Sequence, residues 1–244
     1  KRQTKEISSK NKKLEQMVAE KTIFSQLINH QLRTPLSVLM NYLSFWENDT
    51  YENYNQEKQE EFKNRIIRAA RKLDSVTKDL LNLFEAEDRK SHSLEKISFS
   101  KLLTSMVDNF ETRFSERGLV LQQEIEKEVY VSADMAMLQE ALRNIFDNAF
   151  RYASEKSTIK LTFASNADKM AVLEIKNSVS GPISIDEKRL MSRFERGENA
   201  REVNPDGSGL GLYIVKEVIE KMGGNFSVEL SDREFSAKVL LMTR

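Results

Sequence analysis

The chain has 244 residues, of which 39% are hydrophobic and 31% are charged, so it can bury one large core or two small ones. Its 38 lysines and arginines balance 38 aspartates and glutamates, which argues against a general nucleic-acid binder. The absence of cysteine excludes disulfides, thiolate metal sites and cysteine nucleophiles, and a zinc site would need several more strong ligands than the two histidines, His30 and His92.

Residues 1–22 carry seven basic and three acidic side chains. This balance is expected for a segment just inside a membrane, and equally for a solvated helix surface. No run approaches the ~18 apolar residues of a membrane span, and no signal peptide is visible. Because the chain starts at Lys1, we expect a fragment: the cytoplasmic portion of a membrane-anchored protein, in which 1–22 forms a signalling or membrane-proximal helix.

The first 90 residues contain no glycine and only one proline, which predicts long helices. Polar residues at 48–55 indicate a turn between a helix ending near Glu47 and another from about Gln56 to Glu87. The second helix places two sets of apolar positions at a and d spacing: Ile66, Leu73, Leu80 and Ala70, Thr77, Phe84. The first carries one stripe: Ile28, Leu32, Pro35, Leu39, Tyr42 and Trp46. Because such seams bury little surface alone, we expect two hairpins to form a four-helix bundle; the alternative is a monomeric hairpin packed on the rest of the chain.

After a polar linker at 88–94, strand and helix patterns mix. Strands are predicted at Glu95–Ser100, Leu119–Glu124, Glu128–Val131, Thr158–Ala164, Met170–Lys176, Asn225–Leu230 and Phe235–Met242. Helices are predicted at Lys101–Ser115, Met135–Tyr152 and Leu210–Met222. This order favours helices on one face of a sheet. The polar, irregular segment Ser180–Asp206 is too long for a simple connection and is typical of a lid.

The segment HQLRTP at 30–35 places an imidazole on the first helix. His30 lies about 200° around the helix from both Ile28 and Leu32, so it faces away from the apolar stripe. It shares a polar stripe with Thr34, Ser37 and Asn41. A lone surface histidine is usually inert, but this one is accessible to another domain. Pro35 removes one helical hydrogen bond and can kink the helix, unless it is simply tolerated there.

Two later segments suit a nucleotide. Asn144 and Asn148 lie four residues apart on one helix face, where core packing does not explain them because asparagine is a poor helix former. An amide oxygen is a suitable Mg²⁺ ligand when phosphates supply most of the charge. Gly207, Gly209 and Gly211 have GxGxG spacing, which differs from the P-loop and dinucleotide patterns. They open a helix whose N-terminus suits a phosphate; a flexible hinge is the alternative.

Together, these segments resemble the sensor histidine kinases of bacterial two-component systems, from about Phe24 to Met242. The resemblance implies an all-α helical hairpin at 23–90, which dimerises and carries the phosphoacceptor His30, followed by an α+β sandwich at 95–244 that binds ATP and Mg²⁺. It implies a homodimer whose phosphoryl group passes from His30 to an aspartate of a response regulator. No nucleic-acid partner is expected.

The resemblance also assigns roles to single residues. Asn148 matches the position that ligates Mg²⁺, Thr34 matches a side chain that positions the water in regulator dephosphorylation, and Phe194 matches the lid phenylalanine. Related ATPases carry a water-activating Glu at Asn144, so an amide there favours transfer over hydrolysis. The remaining implied nucleotide-site residues are Asp147, Arg151, Tyr152, Gly207, Gly209, Leu210, Gly211 and Leu212. Arg196 or Arg201 could meet phosphate.

Two positions depart from the family pattern. Gln31 replaces the acidic residue that follows the histidine; its carbonyl can accept the imidazole N–H, but it cannot take the proton, so we expect slower autophosphorylation. Asn177 replaces the aspartate that accepts the adenine amino proton, and Val179 replaces a glycine, which bears on nucleotide affinity. Two alternatives therefore stay open: a signalling scaffold that transfers no phosphate, and a regulator acting chiefly as a phosphatase.

Overall fold

A computed structural model describes residues 2–47, 54–88 and 94–244, and the chain divides into two compact units, Lys1–Thr77 and Lys78–Arg244. The predicted turn at 48–55 and linker at 88–94 lie largely outside the described residues. None of the described helices combines the length and apolar character that a membrane crossing requires.

The first unit is a helical hairpin. Helix α1 spans Arg2–Glu47, and helix α2 spans Gln56–Asp88, beginning in the first unit and ending in the second. Both confirm the predicted helices. Helix α1 continues through Pro35, whose side chain is buried. Near the turn, Phe62 packs edge-on against Tyr42, with ring centroids 4.9 Å apart, and stacks on Phe45 at 5.7 Å. These ring contacts join the two helices beyond their burial of apolar area.

The buried stripe of α2 contains one of the two predicted sets of apolar positions but not the other. Ala69, Val76, Leu80 and Leu83 are buried, and Ile66 and Leu73 are half-buried. The predicted set Ala70, Thr77 and Phe84 is exposed instead. A heptad allows a side chain three or four residues after position a to continue the stripe, and here the three-residue choice is used. The predicted stripe of α1 is half-buried or buried, except that Trp46 is 56% exposed.

The second unit is built on a five-stranded sheet. Its elements are β1 (Glu95–Ser98), α3 (Phe99–Glu116), β2 (Val120–Ile125), β3 (Tyr130–Ala133), α4 (Met135–Tyr152), β4 (Thr158–Ser165), β5 (Met170–Ser178), α5 (Glu187–Leu190), α6 (Glu198–Val203), α7 (Gly211–Lys221), β6 (Asn225–Leu230) and β7 (Glu234–Met242). The strand order is β2-β4-β5-β7-β6, with β2 and β4 parallel and the other pairs antiparallel. Strands β1 and β3 pair separately.

The core of this unit lies between one face of the sheet and helices α3, α4 and α7. Alternate residues of β4, namely Ile159, Leu161 and Phe163, are buried, while Lys160 and Thr162 between them are exposed. The Phe99 ring of α3 meets Phe163 edge-on, with centroids 4.6 Å apart. The helices also bury apolar stripes, as α4 does with Met137, Leu138, Ala141, Leu142, Ile145, Phe146 and Ala149. This is the predicted α+β sandwich.

The segment predicted to be irregular, Ser180–Asp206, contains the two short helices α5 and α6. Local capping explains the first of them, because the Asp186 side chain accepts a hydrogen bond from the Arg189 N–H at 2.9 Å. Helices of four and six residues are too short to show a 3.6-residue apolar period, so the sequence pattern could not reveal them.

Candidate functional site

The His30 side chain is exposed on α1, and so are Thr34, Ser37 and Asn41, as predicted for the polar stripe. The Thr34 hydroxyl donates to the His30 backbone carbonyl at 3.0 Å. Gln31 is half-buried, and its amide does not hydrogen-bond the imidazole among the residues described. The imidazole of His30 is therefore open to solvent and to an incoming group.

In the second unit, α4 presents the two predicted asparagines on its half-buried face. The Asn144 amide donates to the Glu140 backbone carbonyl at 3.0 Å and to Glu140 Oε1 at 3.2 Å. These contacts fix which end of the Asn144 amide faces the neighbouring helix α7. Sequence reasoning missed Glu140, although its position one helical turn before Asn144 was a usable signal. Asn148 lies one turn further along the same helix and is also half-buried.

Three other predicted residues of α4 differ in surroundings. Asp147 forms an ion pair with Arg113 of α3, with 3.1 Å between Arg113 Nη2 and Asp147 Oδ1, so its carboxylate faces α3. The side chain of Arg151 is exposed, and that of Tyr152 is half-buried. Arg117 holds the C-terminus of α4, because its guanidinium donates to the carbonyls of Phe150, Arg151 and Ala153. Arg113 and Arg117 are contacts that the sequence pattern did not indicate.

The glycine loop, residues 207–211, contacts both α4 and the lid segment, residues 180–206. A Cβ at Gly211 would lie 3.2 Å from Asn144 Oδ1, so glycine permits the close approach of α7 and α4. Gly209 has a φ of 81°, and a Cβ there would lie 2.8 Å from the backbone carbon of Phe194. Phe194 itself has a φ of 63°, and its N–H donates to the Gly209 carbonyl at 3.0 Å. The side chains of Leu210 and Leu212 are buried, so these two residues offer the site only backbone groups.

Arg196 organises the lid segment around the end of α6. Its guanidinium donates to the carbonyls of Ala200 at 2.5 Å, Gly207 at 2.9 Å and Pro205 at 3.4 Å, and also to that of Asn204. Gly207 lies against this guanidinium, since a Cβ there would be 3.1 Å from Arg196 Cζ. The predicted phosphate contact therefore competes with four carbonyl contacts at Arg196, while Arg201 is exposed.

Asn177, at the end of β5, provides the clearest sign of a ligand. Asn177 is only 2% exposed, and its side-chain Nδ2 donates to the Ser178 carbonyl at 3.1 Å. Its buried Oδ1 accepts no hydrogen bond from any part of the chain that the structure describes. Such an atom costs free energy unless a donor satisfies it. The amino group of adenine is a donor of the required kind.

Val179, which replaces a glycine of the family pattern, is also buried. It forms a β-bridge with Ala153, and its N–H donates to the Arg233 carbonyl at 2.9 Å. Valine is therefore accommodated here by packing against the end of α4.

Metal binding by the protein alone is not supported by the described residues, because no three His, Asp or Glu side chains among them are grouped closely enough. Asn148 offers one neutral oxygen, which fits a cation whose remaining ligands are phosphate and water. The donor set thus fits Mg²⁺ bound together with a nucleotide.

Tyr213, in the first turn of α7, directly after the glycine loop, contacts Arg193 of the lid segment. The Arg193 guanidinium lies 4.7 Å from the centroid of its ring, a cation–π contact. Burial, reinforced by the Glu217 carboxylate and partly offset by Arg193, raises the pKa of Tyr213 to about 12.

This shift predicts a pH-dependent stability. Because an unfolded tyrosine ionises near ~10, its contribution to stability is complete below that pH and is lost as the pH rises towards 12. The free energy of unfolding should therefore fall more steeply over this interval in the wild type than in Tyr213→Phe, by on the order of 2 kcal/mol. Urea denaturation at several pH values measures both profiles, and parallel profiles would contradict the prediction.

Two protein-family models match the parts of the chain in which these two sites lie. Residues 20–89 match the His Kinase A (phospho-acceptor) domain, and residues 133–241 match the histidine kinase-, DNA gyrase B- and HSP90-like ATPase domain. The chain therefore contains both of these domains, and the pair supports a fragment of a two-component sensor histidine kinase.

Individual relatives show the extent of the similarity. The chain is 30% identical over 227 residues to the probable sensor protein PcoS of Escherichia coli, covering 90% of this chain and 46% of PcoS. It is 27% identical over 225 residues to the histidine protein kinase SaeS of Staphylococcus aureus, covering 91% of this chain and 64% of SaeS. The chain thus spans about half to two-thirds of these relatives. The fold matches histidine kinase ThkA, solved in complex with the response regulator TrrA, with a TM-score of 0.73, 15% identity and coverage of 94% of this chain and 64% of ThkA.

Proposed function

We propose that this chain transfers the γ-phosphoryl group of ATP to His30 and then to an aspartate of a response regulator. The observation that carries the proposal is the presence in one chain of an exposed imidazole on α1 and, in the second unit, of a buried, unsatisfied acceptor at Asn177 together with a glycine loop. The two matching domain families support this pair of roles. They also support the proposed division of the chain into a phosphoacceptor domain at 23–90 and an ATP-binding domain at 95–244. The PcoS and SaeS names, and the ThkA complex with a response regulator, support the sensor role and the partner.

The protein groups divide the work as follows. Asn177 Oδ1 would accept the adenine amino proton, and the backbone N–H groups at the start of α7 would hold phosphate oxygens. Asn148 would hold Mg²⁺, which neutralises phosphate charge when bound. A neutral ring nitrogen of His30 then attacks the γ-phosphorus with its lone pair, and the bond to the ADP oxygen breaks. Positioning and charge neutralisation do most of the work in such a transfer.

A homodimer completes the proposal. Helices α1 and α2 leave large apolar residues exposed, with 45–60% of the surface of each one accessible, among them Leu36, Met40, Leu43, Leu81 and Phe84. A second hairpin would cover these side chains in a four-helix bundle. Membrane anchoring of the whole protein, and regulator dephosphorylation with help from the exposed Thr34, are part of the same proposal.

The direct test is incubation of the chain with γ-labelled ATP and Mg²⁺, followed by a receiver domain. We expect label that is acid-labile and alkali-stable, as a phosphohistidine is, and its transfer to the receiver aspartate. Loss of label from the receiver on further incubation measures the phosphatase activity. ATP binding without any label would instead favour the signalling scaffold.

Replacement of Asn177 tests recognition of the base. Asn177→Leu removes the buried acceptor, so ATP binding should weaken by about tenfold or more, as expected for one lost hydrogen bond in a buried site. Asn177→Asp keeps an acceptor oxygen and is the matched control, which should retain ATP binding. Isothermal titration measures both, and equal weakening in the two variants would contradict the assigned role.

Replacement of Gln31 tests the missing acid. A carboxylate there can take the proton that the imidazole loses, so Gln31→Glu should autophosphorylate at least ~3-fold faster at unchanged ATP affinity. Initial rates of label incorporation measure the change. A variant that is no faster than the wild type would show that glutamine suffices.

A further inference from the structure

The C-terminal part of α2 contacts the nucleotide site of the second unit, to which it belongs from Lys78 onwards. Asp79 Oδ2 accepts a hydrogen bond from the Ser208 hydroxyl of the glycine loop. Asn82 Nδ2 donates to Glu140 Oε1 at 2.7 Å, and that same oxygen accepts from the Asn144 amide at 3.2 Å. One helix end therefore contacts both elements that would hold the nucleotide.

Ser208 is engaged on two sides. Its hydroxyl donates to Asp79 and accepts from the Leu210 N–H at 3.1 Å, and the residue is only 6% exposed. Leu210 is the N-cap residue of α7. N–H groups at a helix N-terminus are the donors that bind phosphate. The Ser208 hydroxyl, which Asp79 orients, thus occupies one of these donors within the loop.

The charge of Asp79 acts in the same direction. Its carboxylate lies one hydrogen bond from a loop expected to receive a polyphosphate. Like charges separated by a few ångströms at a protein surface repel by about 1 kcal/mol or more. Both effects oppose nucleotide binding, one by occupying a donor and the other by repulsion.

We propose that Asp79 is a positioning residue which, through Ser208, lowers the affinity of the glycine loop for ATP; the inference rests on the proposed function. Breaking the Asp79–Ser208 contact frees the Ser208 hydroxyl and the Leu210 N–H for phosphate and moves the carboxylate away. Asn82 acts at the same helix end, on the Glu140 that orients Asn144. Displacement of the end of α2 is therefore a means of controlling nucleotide occupancy.

The test is ATP titration with Mg²⁺ on the complete 244-residue chain. Asp79→Asn keeps an acceptor for Ser208 but removes the charge, and Asp79→Ala removes both. We expect Asp79→Asn to bind ATP roughly five-fold more tightly and Asp79→Ala at least as tightly. The KM for ATP should fall at nearly constant kcat, and the gain should shrink at high salt because it is electrostatic. Asp74→Asn, the same charge change on the exposed face of α2 in the first unit, is the matched control and should leave affinity unchanged.

The other possible outcomes distinguish failure of this inference from failure of the proposed function. If the wild type and both Asp79 variants bind ATP equally, the positioning role is wrong while the proposed function stands. Weaker binding by both variants would mean that the contact assembles the loop for nucleotide, which also overturns the proposal. If none of the proteins binds ATP, both the proposed function and this inference fail. Binding by the variants alone would support both.

Discussion

Replacing His30 by glutamine is expected to reduce phosphate incorporation from ATP below ~1% of the wild-type level, because glutamine has no nucleophilic ring nitrogen. The His30 side chain is exposed, and the hydrogen bond from the Thr34 hydroxyl goes to the His30 backbone carbonyl, not to the imidazole. The helix and the second unit should therefore be unaffected, so ATP affinity should stay at its wild-type value. Label incorporation and ATP titration on the same preparation measure the two quantities.

The chain offers a matched control for this variant. It has two histidines, so an acid-labile phosphohistidine can form only at His30 or His92. His92→Gln should keep full incorporation. Label that persists in His30→Gln and disappears in His92→Gln would place the phosphoacceptor elsewhere and overturn the proposed route.

Replacing Gly209 by alanine is expected to damage both stability and nucleotide binding. The residue has a φ of 81°, and the added Cβ would lie 2.8 Å from the Phe194 backbone carbon, which cannot move without shifting the lid. Backbone strain and this clash together should lower the free energy of unfolding by ~3 kcal/mol. Because the hydrogen bond from Phe194 to Gly209 would break, ATP affinity should fall by about tenfold or more.

Gly181→Ala separates the two causes. Gly181 has nearly the same φ, 82°, but no described atom lies within 4 Å of where its Cβ would be. This variant carries only the strain of the left-handed conformation, so it should cost ~1 kcal/mol. Denaturant titration of both variants measures the difference. Equal losses would show that the packing of Phe194 on Gly209 contributes nothing.

The sequence predicts what depends on local pattern. Helix α4 has the predicted bounds, Met135–Tyr152, because its apolar period and its cap at Asp134 are both short-range features. The strands and α7 likewise begin and end within a few residues of their predicted positions. The stripe of α2 shows the limit, since positions three and four residues after Ile66 satisfy a heptad equally well. Only packing against a second helix selects Ala69 over Ala70.

The site is predictable in residue type but not in contacts. The motifs indicated Asn144 and the glycines, and the structure brings Gly211 against Asn144. No local pattern indicates that Asp147 pairs with Arg113, that Arg196 holds backbone carbonyls, or that Phe194 adopts a positive φ. The Asp79–Ser208 contact joins residues 129 positions apart, a separation beyond any short-range signal.

Helix α2 extends into the second unit, and this affects how the protein can be divided for experiments. A fragment cut in the linker and starting at residue 94 would lack Leu80 and Leu83, which are buried, together with Asp79 and Asn82. Dissociation constants measured on such a fragment would describe a glycine loop relieved of its neighbouring carboxylate. A fragment that begins before Lys78 retains these residues, so the better boundary lies inside a helix and not in the linker that follows it.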